Sequence, residues 1–400
     1  MKTLVNIISK ENPISAYLFV KEMYEAGDRL LFFSAKDTED TMRHVIKSVS
    51  PFVKSSVVDT VVLEREGDKH FYERICRALR DSGYLKEGNC YYVNLAGGTR
   101  YMALAVQQTF RKYNAEYFYT DVVNNMIIHT LYDDSIDDND DCFLSIRHRM
   151  KIGEYLSLYA IHHDADQPDI HLPIRSKEDA RRIFDCFTLN QLSEDDYLAI
   201  DKLRNGYRNA LSRQGHQQLY RLKRMDNISI EQIENPYDPE WIPIHNLNKF
   251  LRHVEFVPST NGMLSKDEID YLTGGWFEEY VYYLVQDLCH PDDAAISVRV
   301  WKDENHDNEL DVVFTKGNKL YVIECKTGVD NKKMFNEIVY KACALKEALL
   351  GISCNSFIFS LKNDKEGLLK STAKNMDVTF CDRDRMMRPD ELRKLLSKRG

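Results

Sequence analysis

Four hundred residues with 23 Tyr, 18 Phe and a 43 % apolar fraction exceed what one ordinary core organises, so two or three domains are expected. No run approaches the roughly 20 apolar residues of a membrane span, and the opening MKTLVNIISKENP turns polar too soon for a signal peptide, so a cytoplasmic chain without a membrane partner is expected. Nine scattered cysteines without any Cys-x-x-Cys speak for reduced thiols and against a structural zinc, and the net charge of −9 argues mildly against nucleic acid.

Strand-length apolar runs fill the first third, at 4–9 (LVNIIS), 29–35 (RLLFFSA), 57–64 (VVDTVVLE), 90–96 (CYYVNLA) and 115–122 (AEYFYTDV). A hairpin edge is expected at 127–132 (IIHTLY). Between the runs lie amphipathic patterns such as ISAYLFVKEMYEAG and HFYERICRALRDSG, each closed by a glycine. Strands alternating with helices predict βαβ units and a parallel sheet. Ligands of such sheets bind at the carboxyl ends of the strands, where helix N-termini present free amides. The fourth run continues into NLAGGTRYMALAV, with two glycines for close backbone approach and Thr99 as helix cap, a suitable seat for an anionic group. Its order is not GxGxxG, and no acidic ribose reader follows, so a dinucleotide is not expected. A tight strand-to-helix turn is the alternative.

Strand, NLAGGTRYM and helix, after a first strand that ends in SKENP, resemble a CARF domain, the CRISPR-associated Rossmann-like fold. The resemblance covers about residues 1–145. It implies a dimer that binds a cyclic oligoadenylate across its two-fold axis, with Asn94, Gly97, Gly98, Thr99, Arg100 and Met102 lining the pocket. Ser9 and Asn12 after the first strand, and Ser34 and Thr38 after the second, are further candidates, though Ser and Asn at strand ends are also ordinary turn residues.

The run DDSIDDNDD at 133–141 carries six of the negative charges. Residues 146–263 then lose the strand rhythm and read as a helical connector. SKEDARRIFDCF (176–187) and SEDDYLAIDKLRNGYRNAL (193–211) each open with a Ser cap and early acids, and Pro-rich loops follow at 234–245. Lys202, Arg204, Arg208, Arg213, Arg221, Lys223 and Arg224 make 200–226 locally basic, a patch for phosphates or a solvated helix face. His162 and His163 beside Asp164 and Asp166 read as a solvated loop rather than a metal site.

Residues 308–328, NELDVVFTKGNKLYVIECKTG, predict a hairpin turning at Gly-Asn. Strand alternation puts Glu309, Asp311 and Val313 on one face, and Glu324 with Lys326 on one face while Cys325 points away. Two carboxylates and a lysine inside apolar strands are costly unless compensated. A hard divalent cation, Mg²⁺ or Mn²⁺, would compensate them and prefers such oxygens; a structural salt-bridge cluster is the alternative.

Asp, about a dozen residues, then Glu-x-Lys on adjacent strands resembles the PD-(D/E)xK nuclease core, here with Glu309-Leu310 in place of the Pro. That resemblance implies catalytic Asp311, Glu324 and Lys326, and a metal held by Asp311, Glu324 and the Cys325 backbone carbonyl. Glu278, in the helical pattern GGWFEEYVYYLVQDL (274–288), matches the acid that enters such sites. The order αβββαβ covers about 264–390, within a nuclease domain expected at 264–400, where phosphate contacts would come from Lys332, Lys333, Lys341, Arg383, Arg385 and Arg388. The whole chain is therefore similar to the CARF-nuclease effectors of type III CRISPR systems. The resemblance implies a homodimer, activated by cyclic tetra-adenylate, that cuts single-stranded RNA or DNA. A duplex-DNA nickase or repair nuclease, and a nucleotide-sensing DNA-binding regulator with an inert nuclease fold, remain the alternatives.

Overall fold

A computed structural model describes residues 2–54, 57–63, 71–130, 142–167, 171–205, 227–235, 243–301, 307–328, 332–345, 354–364 and 367–396. The acidic run 133–141, the basic residues Arg208, Arg213, Arg221, Lys223 and Arg224, and the side chains of Lys332 and Lys333 lie outside that description.

The apolar runs of the first third become β1 (Lys2–Ile7), β2 (Arg29–Ala35), β3 (Val58–Leu63), β4 (Cys90–Asn94) and β5 (Asn114–Asp121), all parallel in the order β3-β2-β1-β4-β5. Two antiparallel strands, β6 (Met126–His129) and β7 (Phe143–Ser145), extend the sheet beyond β5. Helices α1 (Pro13–Met23) and α2 (Glu39–Val49) cover one face, and α3 (Phe71–Asp81) and α4 (Arg100–Phe110) the other. Central strands buried on both faces need continuous apolar sequence, which explains why Leu30–Phe33 carries no alternation. Strand order reverses between β1 and β4, the switch point where open α/β sheets form their ligand crevice at the carboxyl ends, here between the loops after both strands.

The second sheet runs β15-β14-β13-β12-β11-β8. Its strands are β8 (His162–His163), β11 (Asp293–Trp301), β12 (Asp307–Lys316), β13 (Lys319–Lys326), β14 (Cys354–Ser360) and β15 (Thr379–Asp382). The meander β11-β12-β13 is antiparallel, and β13-β14-β15 are parallel. The intervening helices follow the expected αβββαβ order. The first, Trp276–Cys289, buries Phe277, Val281 and Val285 against Val312, Phe314 and Ile323. Between the third and fourth strands comes Lys332–Leu345, which packs Phe335 and Val339 over Ile358 and Phe380.

The connector departs from the helical expectation. It does hold helices, Lys177–Thr188 and Glu194–Leu203 among them, each capped by its serine (Ser176 and Ser193). Yet His162 and His163 are not loop residues: they form β8, an edge strand hydrogen-bonded to Val300 and Trp301. Edge pairing, not solvation, accounts for the polar cluster, since Asp164 accepts the Arg299 amide at 2.9 Å and buried His171 lies 3.0 Å from Asp164 Oδ1. Two further short strands, β9 (Asn227–Ser229) and β10 (Met263–Ser265), pair with each other. No described helix is long and apolar enough to cross a membrane, and all nine cysteines are free.

The two glycines after β4 have a packing reason. A Cβ on Gly97 would stand 1.8 Å from the Ile7 carbonyl oxygen, and one on Gly98, at φ 69°, 2.4 Å from Ile7 Cγ2. The close approach they permit is to the end of β1, which draws the loops after β1 and β4 together at the crevice. Gly97→Ala is expected to strain that junction by about 1–3 kcal/mol and lower the melting temperature. Equal melting of variant and wild type would mean that the loop can back away from β1.

Candidate functional site

Asp311 lies on β12 and Glu324 on β13, and the register Val312 to Ile323 sets the two carboxylates opposite each other. Both are buried, 8 % and 6 % exposed. The Lys326 ammonium bridges them, 3.3 Å from Asp311 Oδ2 and 2.8 Å from Glu324 Oε1. Its side chain keeps 27 % exposure, so the cluster is reachable from solvent rather than sealed. The Cys325 amide donates to Asp311 Oδ2 at 2.7 Å, while the Cys325 thiol turns into the core, where burial pushes its pKa well up and removes it from thiolate chemistry.

Electrostatics in the cluster follow from burial. Burial first, then repulsion from Glu324, pushes the Asp311 carboxyl up to about 6, against the pull of Lys326 and the Cys325 amide. Burial works against the Lys326 ammonium, but the two carboxylates outweigh it and raise its pKa. Two buried acids that crowd one another call for positive charge between them. The oxygens of Asp311, Glu324 and the local main chain suit Mg²⁺ or Mn²⁺ with several waters retained. Among the described residues, however, no three His, Cys, Asp or Glu side chains lie close enough together to hold a metal, so only two side chains here are candidate ligands.

Glu278 does not join that pair. It sits in the first turn of its helix and accepts the Ser297 hydroxyl at 3.3 Å. Ser297 falls across from Asp311 in the β11–β12 register, so Glu278, on its helix, borders the site through a residue of the neighbouring strand. Ser297 itself has φ 51°, and the core memberships on either side show why that matters. Ile296 enters the core under the Trp276–Cys289 helix, while Val298 enters the opposite one, so strand alternation breaks at this residue.

Three contacts were not legible from sequence. Lys341, expected only as an outlying phosphate contact, brings its ammonium to 3.6 Å from Glu324 Oε1. Arg204 of the connector donates to Thr273 O at 2.9 Å and to Thr327 Oγ1 at 3.2 Å, next to Lys326. Ser297 is the third. None carries a local motif; each depends on which helix or strand packs beside the hairpin. Of the other expected phosphate contacts, Arg388 pairs with Glu391 at 2.5 Å and Arg385 reaches the Phe380 carbonyl at 3.5 Å.

The crevice at the first sheet gathers the other expected residues. Ser9 and Asn12 follow β1, Ser34 and Thr38 end or follow β2, Asn94 ends β4, and Gly97 to Met102 follow it. Gly98, Thr99 and Arg100 are exposed, and Asn12 and Thr38 half-buried. Thr99 caps α4 through the Met102 amide at 3.3 Å. Asn94, Ser34, Gly97 and Met102 are buried. Asn94 in particular donates to Asn6 Oδ1 and Ser15 O, and accepts from the Ala96 amide and the Thr120 hydroxyl.

Comparison with known proteins fits both halves. Residues 3–155 match the family described as Card1 CARF domain, and residues 265–398 match the Card1-like endonuclease domain. The chain therefore carries a Card1-type CARF domain followed by a Card1-like endonuclease domain. No curated protein sequence matches it significantly. Among solved structures it is similar to protein VC1899 from Vibrio cholerae, at 17 % identity and TM-score 0.67, covering 98 % of this chain and 97 % of that one. It is also similar to Can2 from Sulfobacillus thermosulfidooxidans in complex with cyclic tetra-adenylate, at 19 % identity and TM-score 0.65, covering 100 % and 99 %. At such identities the likeness is one of fold. The Card1-like CARF segment contains the crevice, and the Card1-like endonuclease segment contains Glu278, Asp311, Glu324, Lys326 and Lys341.

The raised Asp311 pKa has a consequence for stability. A carboxyl held above its ordinary 3.8 in the folded chain detracts from stability when ionised, and the deficit vanishes as pH falls from about 6 to about 4. In metal-free protein, Asp311→Asn is therefore expected to melt no lower than wild type near neutral pH, with wild type gaining on the variant through that window. A wild type that melts well above the variant at neutral pH, and loses its lead on acidification, would reverse the sign.

Proposed function

We propose that this Card1-like chain is a cyclic-oligoadenylate-gated, metal-dependent endonuclease of type III CRISPR defence that cuts single-stranded RNA or DNA with little sequence preference. The observation that carries the proposal is the convergence of Asp311, Glu324 and Lys326 on one solvent-reachable point, in a chain that also holds a Card1 CARF domain. The complex of the structurally similar Can2 with cyclic tetra-adenylate supports that ring as activator.

When bound, a divalent cation supplies Lewis-acid charge neutralisation at the scissile phosphate. Asp311 and Glu324, with the Cys325 carbonyl, would hold it. Lys326, released from its double ion pair, orients the attacking water and meets charge that grows on the phosphate oxygens. Lys341 approaches Glu324 from the neighbouring helix and presents a second ammonium, half exposed, to the substrate backbone. Recognition through phosphate charge rather than base edges gives low sequence preference.

At the CARF crevice, Gly98, Thr99 and Arg100 with the N-terminus of α4 offer amides and a guanidinium to a cyclic phosphate ring. On α4, Tyr101 and Leu104 are 68 % and 56 % exposed beside Arg100, which favours a second protomer against this helix and a ring shared across a two-fold axis. To turn a mostly inactive enzyme mostly active, the ring must favour one state by about 5.5 kcal/mol, and contacts to both protomers double what one crevice supplies.

Glu324→Gln and Lys326→Met are expected to reduce activated cleavage at least about a hundredfold, while leaving the calorimetric affinity for cyclic tetra-adenylate unchanged. Lys341→Met should lose roughly tenfold or more, as for one charge-assisted contact. Chelation by EDTA should stop cutting. Cleavage that survives Glu324→Gln, or that runs equally on duplex substrate without any activator, would sink the assignment in favour of an inert site or a duplex nickase.

A further inference from the structure

The turn of the nuclease hairpin is buried against the CARF sheet. Gly317 and Asn318, at φ 56° and 60°, form the two-residue connection between β12 and β13, and Asn318 is 1 % exposed. Its Nδ2 donates to Asn125 Oδ1 at 2.8 Å and to His148 O at 3.1 Å, and its Oδ1 accepts the Met150 amide at 2.9 Å. Thr315 Oγ1 donates to Met150 O at 2.8 Å, and Asp293 Oδ2 accepts the Ile152 amide at 2.9 Å. Asn125 belongs to the turn between β5 and β6, has φ 54°, and accepts the Ile146 amide on its carbonyl at 2.8 Å. A Cβ on Gly317 would stand 2.9 Å from Asn125 Nδ2, so the two turns touch with no side chain to spare.

The segment 146–152 between them is fastened on its other side to α1. Glu22 Oε1 accepts the amides of Arg147 and His148 at 2.9 and 2.7 Å. Tyr17 donates to Glu154 Oε1 at 2.8 Å, and Glu154 Oε2 lies 3.2 Å from His148 Nε2. An apolar core also spans the two sheets, joining Phe118, Ile127 and Tyr155 to Leu310, Val313 and Val322. Apolar contact is non-directional and tolerates sliding. A buried amide with three hydrogen bonds does not, because slippage leaves polar groups unpaired at about 1–3 kcal/mol each.

The Asn125 turn leaves the carboxyl end of β5, the same edge of the sheet as the CARF crevice. Thr120 Oγ1 donates to Asn94 Oδ1 at 3.2 Å, and the Leu95 amide donates to Phe118 O at 2.8 Å, so β5 is tied to the Gly97–Arg100 loop. At the far end, Asp311 and Glu324 sit seven and six residues from Asn318 on the two strands that it joins, a reach of roughly 20 Å along paired strands. Resting on the ligand-gated reading above, we infer that the Asn125–Asn318 contact is the element within one chain that passes a change at the crevice to the hairpin bearing Asp311 and Glu324. Displacement of β5 moves the Asn125 turn, the amide lock carries the hairpin tip with it, and the paired strands shift the two carboxylates against Lys341 and Glu278, which belong to separate helices.

The test uses the full chain and substitutions that keep the left-handed backbone. Asn125→Gly and Asn318→Gly delete the side chains without backbone strain, and Asn125→Asp retains the acceptor. Cyclic tetra-adenylate affinity is read by calorimetry, and cutting of a single-stranded oligonucleotide is read with and without activator. Hydrogen exchange at 312–326 on ligand addition gives a readout that does not depend on activity. Both glycine variants are expected to bind the ring as wild type does, yet lose about tenfold in the ratio of activated to basal cutting, a typical size for coupling between sites. The double variant should lose no more than the worse single, and Asn125→Asp should stay near wild type. The ligand-induced exchange change in the hairpin should vanish with the ratio. Glycine variants with a wild-type ratio, additive losses, or an unchanged exchange response would overturn the coupling role alone. A wild type indifferent to activator would overturn the gated reading and this inference with it.

Discussion

One lysine between two buried carboxylates is the interaction on which the catalytic half depends. Asp311 and Glu324 would repel each other inside the sheet, and the Lys326 ammonium offsets that repulsion while staying within reach of solvent. The arrangement exists only if β12 and β13 pair in one register, because a slip of one residue would send a carboxylate to the opposite face. That register is set by the Gly317-Asn318 turn, and the turn in turn is held by Asn125, His148 and Met150 from the CARF side. A buried charge cluster is thus positioned by neutral amide contacts about six residues away.

The sensor half rests on a different constraint, absence of side chain. Gly97 and Gly98 let the loop after β4 press against the last residue of β1, which sets the two loops side by side where strand order reverses. Exposed Thr99 and Arg100 then stand over a buried polar floor of Asn6, Asn94 and Thr120. Rigidity beneath and exposure above suit a surface that binds a ligand.

Between these halves the chain is shared rather than merely linked. The helix Ile152–Leu158 packs into an apolar core with residues of both sheets, β8 adds an edge to the nuclease sheet, and Arg204 reaches Thr327 beside Lys326. The connector therefore shapes the nuclease site as well as spacing it from the sensor. His162 and His163 illustrate the error that sequence invites: adjacent polar residues read as a solvated loop, yet main-chain pairing with Val300 and Trp301 puts them on a sheet.

Local pattern determined a good deal of this protein. Periodicity and glycine placement gave the parallel strands, the capped helices and the hairpin, because those depend on neighbours within a few residues. The Asp311, Glu324 and Lys326 set was readable for the same reason, since strand alternation and a two-residue turn place them side by side. What sequence could not decide was everything that needs two distant segments in contact: Lys341 at Glu324, Ser297 at Glu278, the burial of Asn94 and Met102, and the seating of Asn318 on Asn125. Those are set by packing of whole elements, where side chains as far as 193 positions apart meet, and no local propensity encodes such contacts.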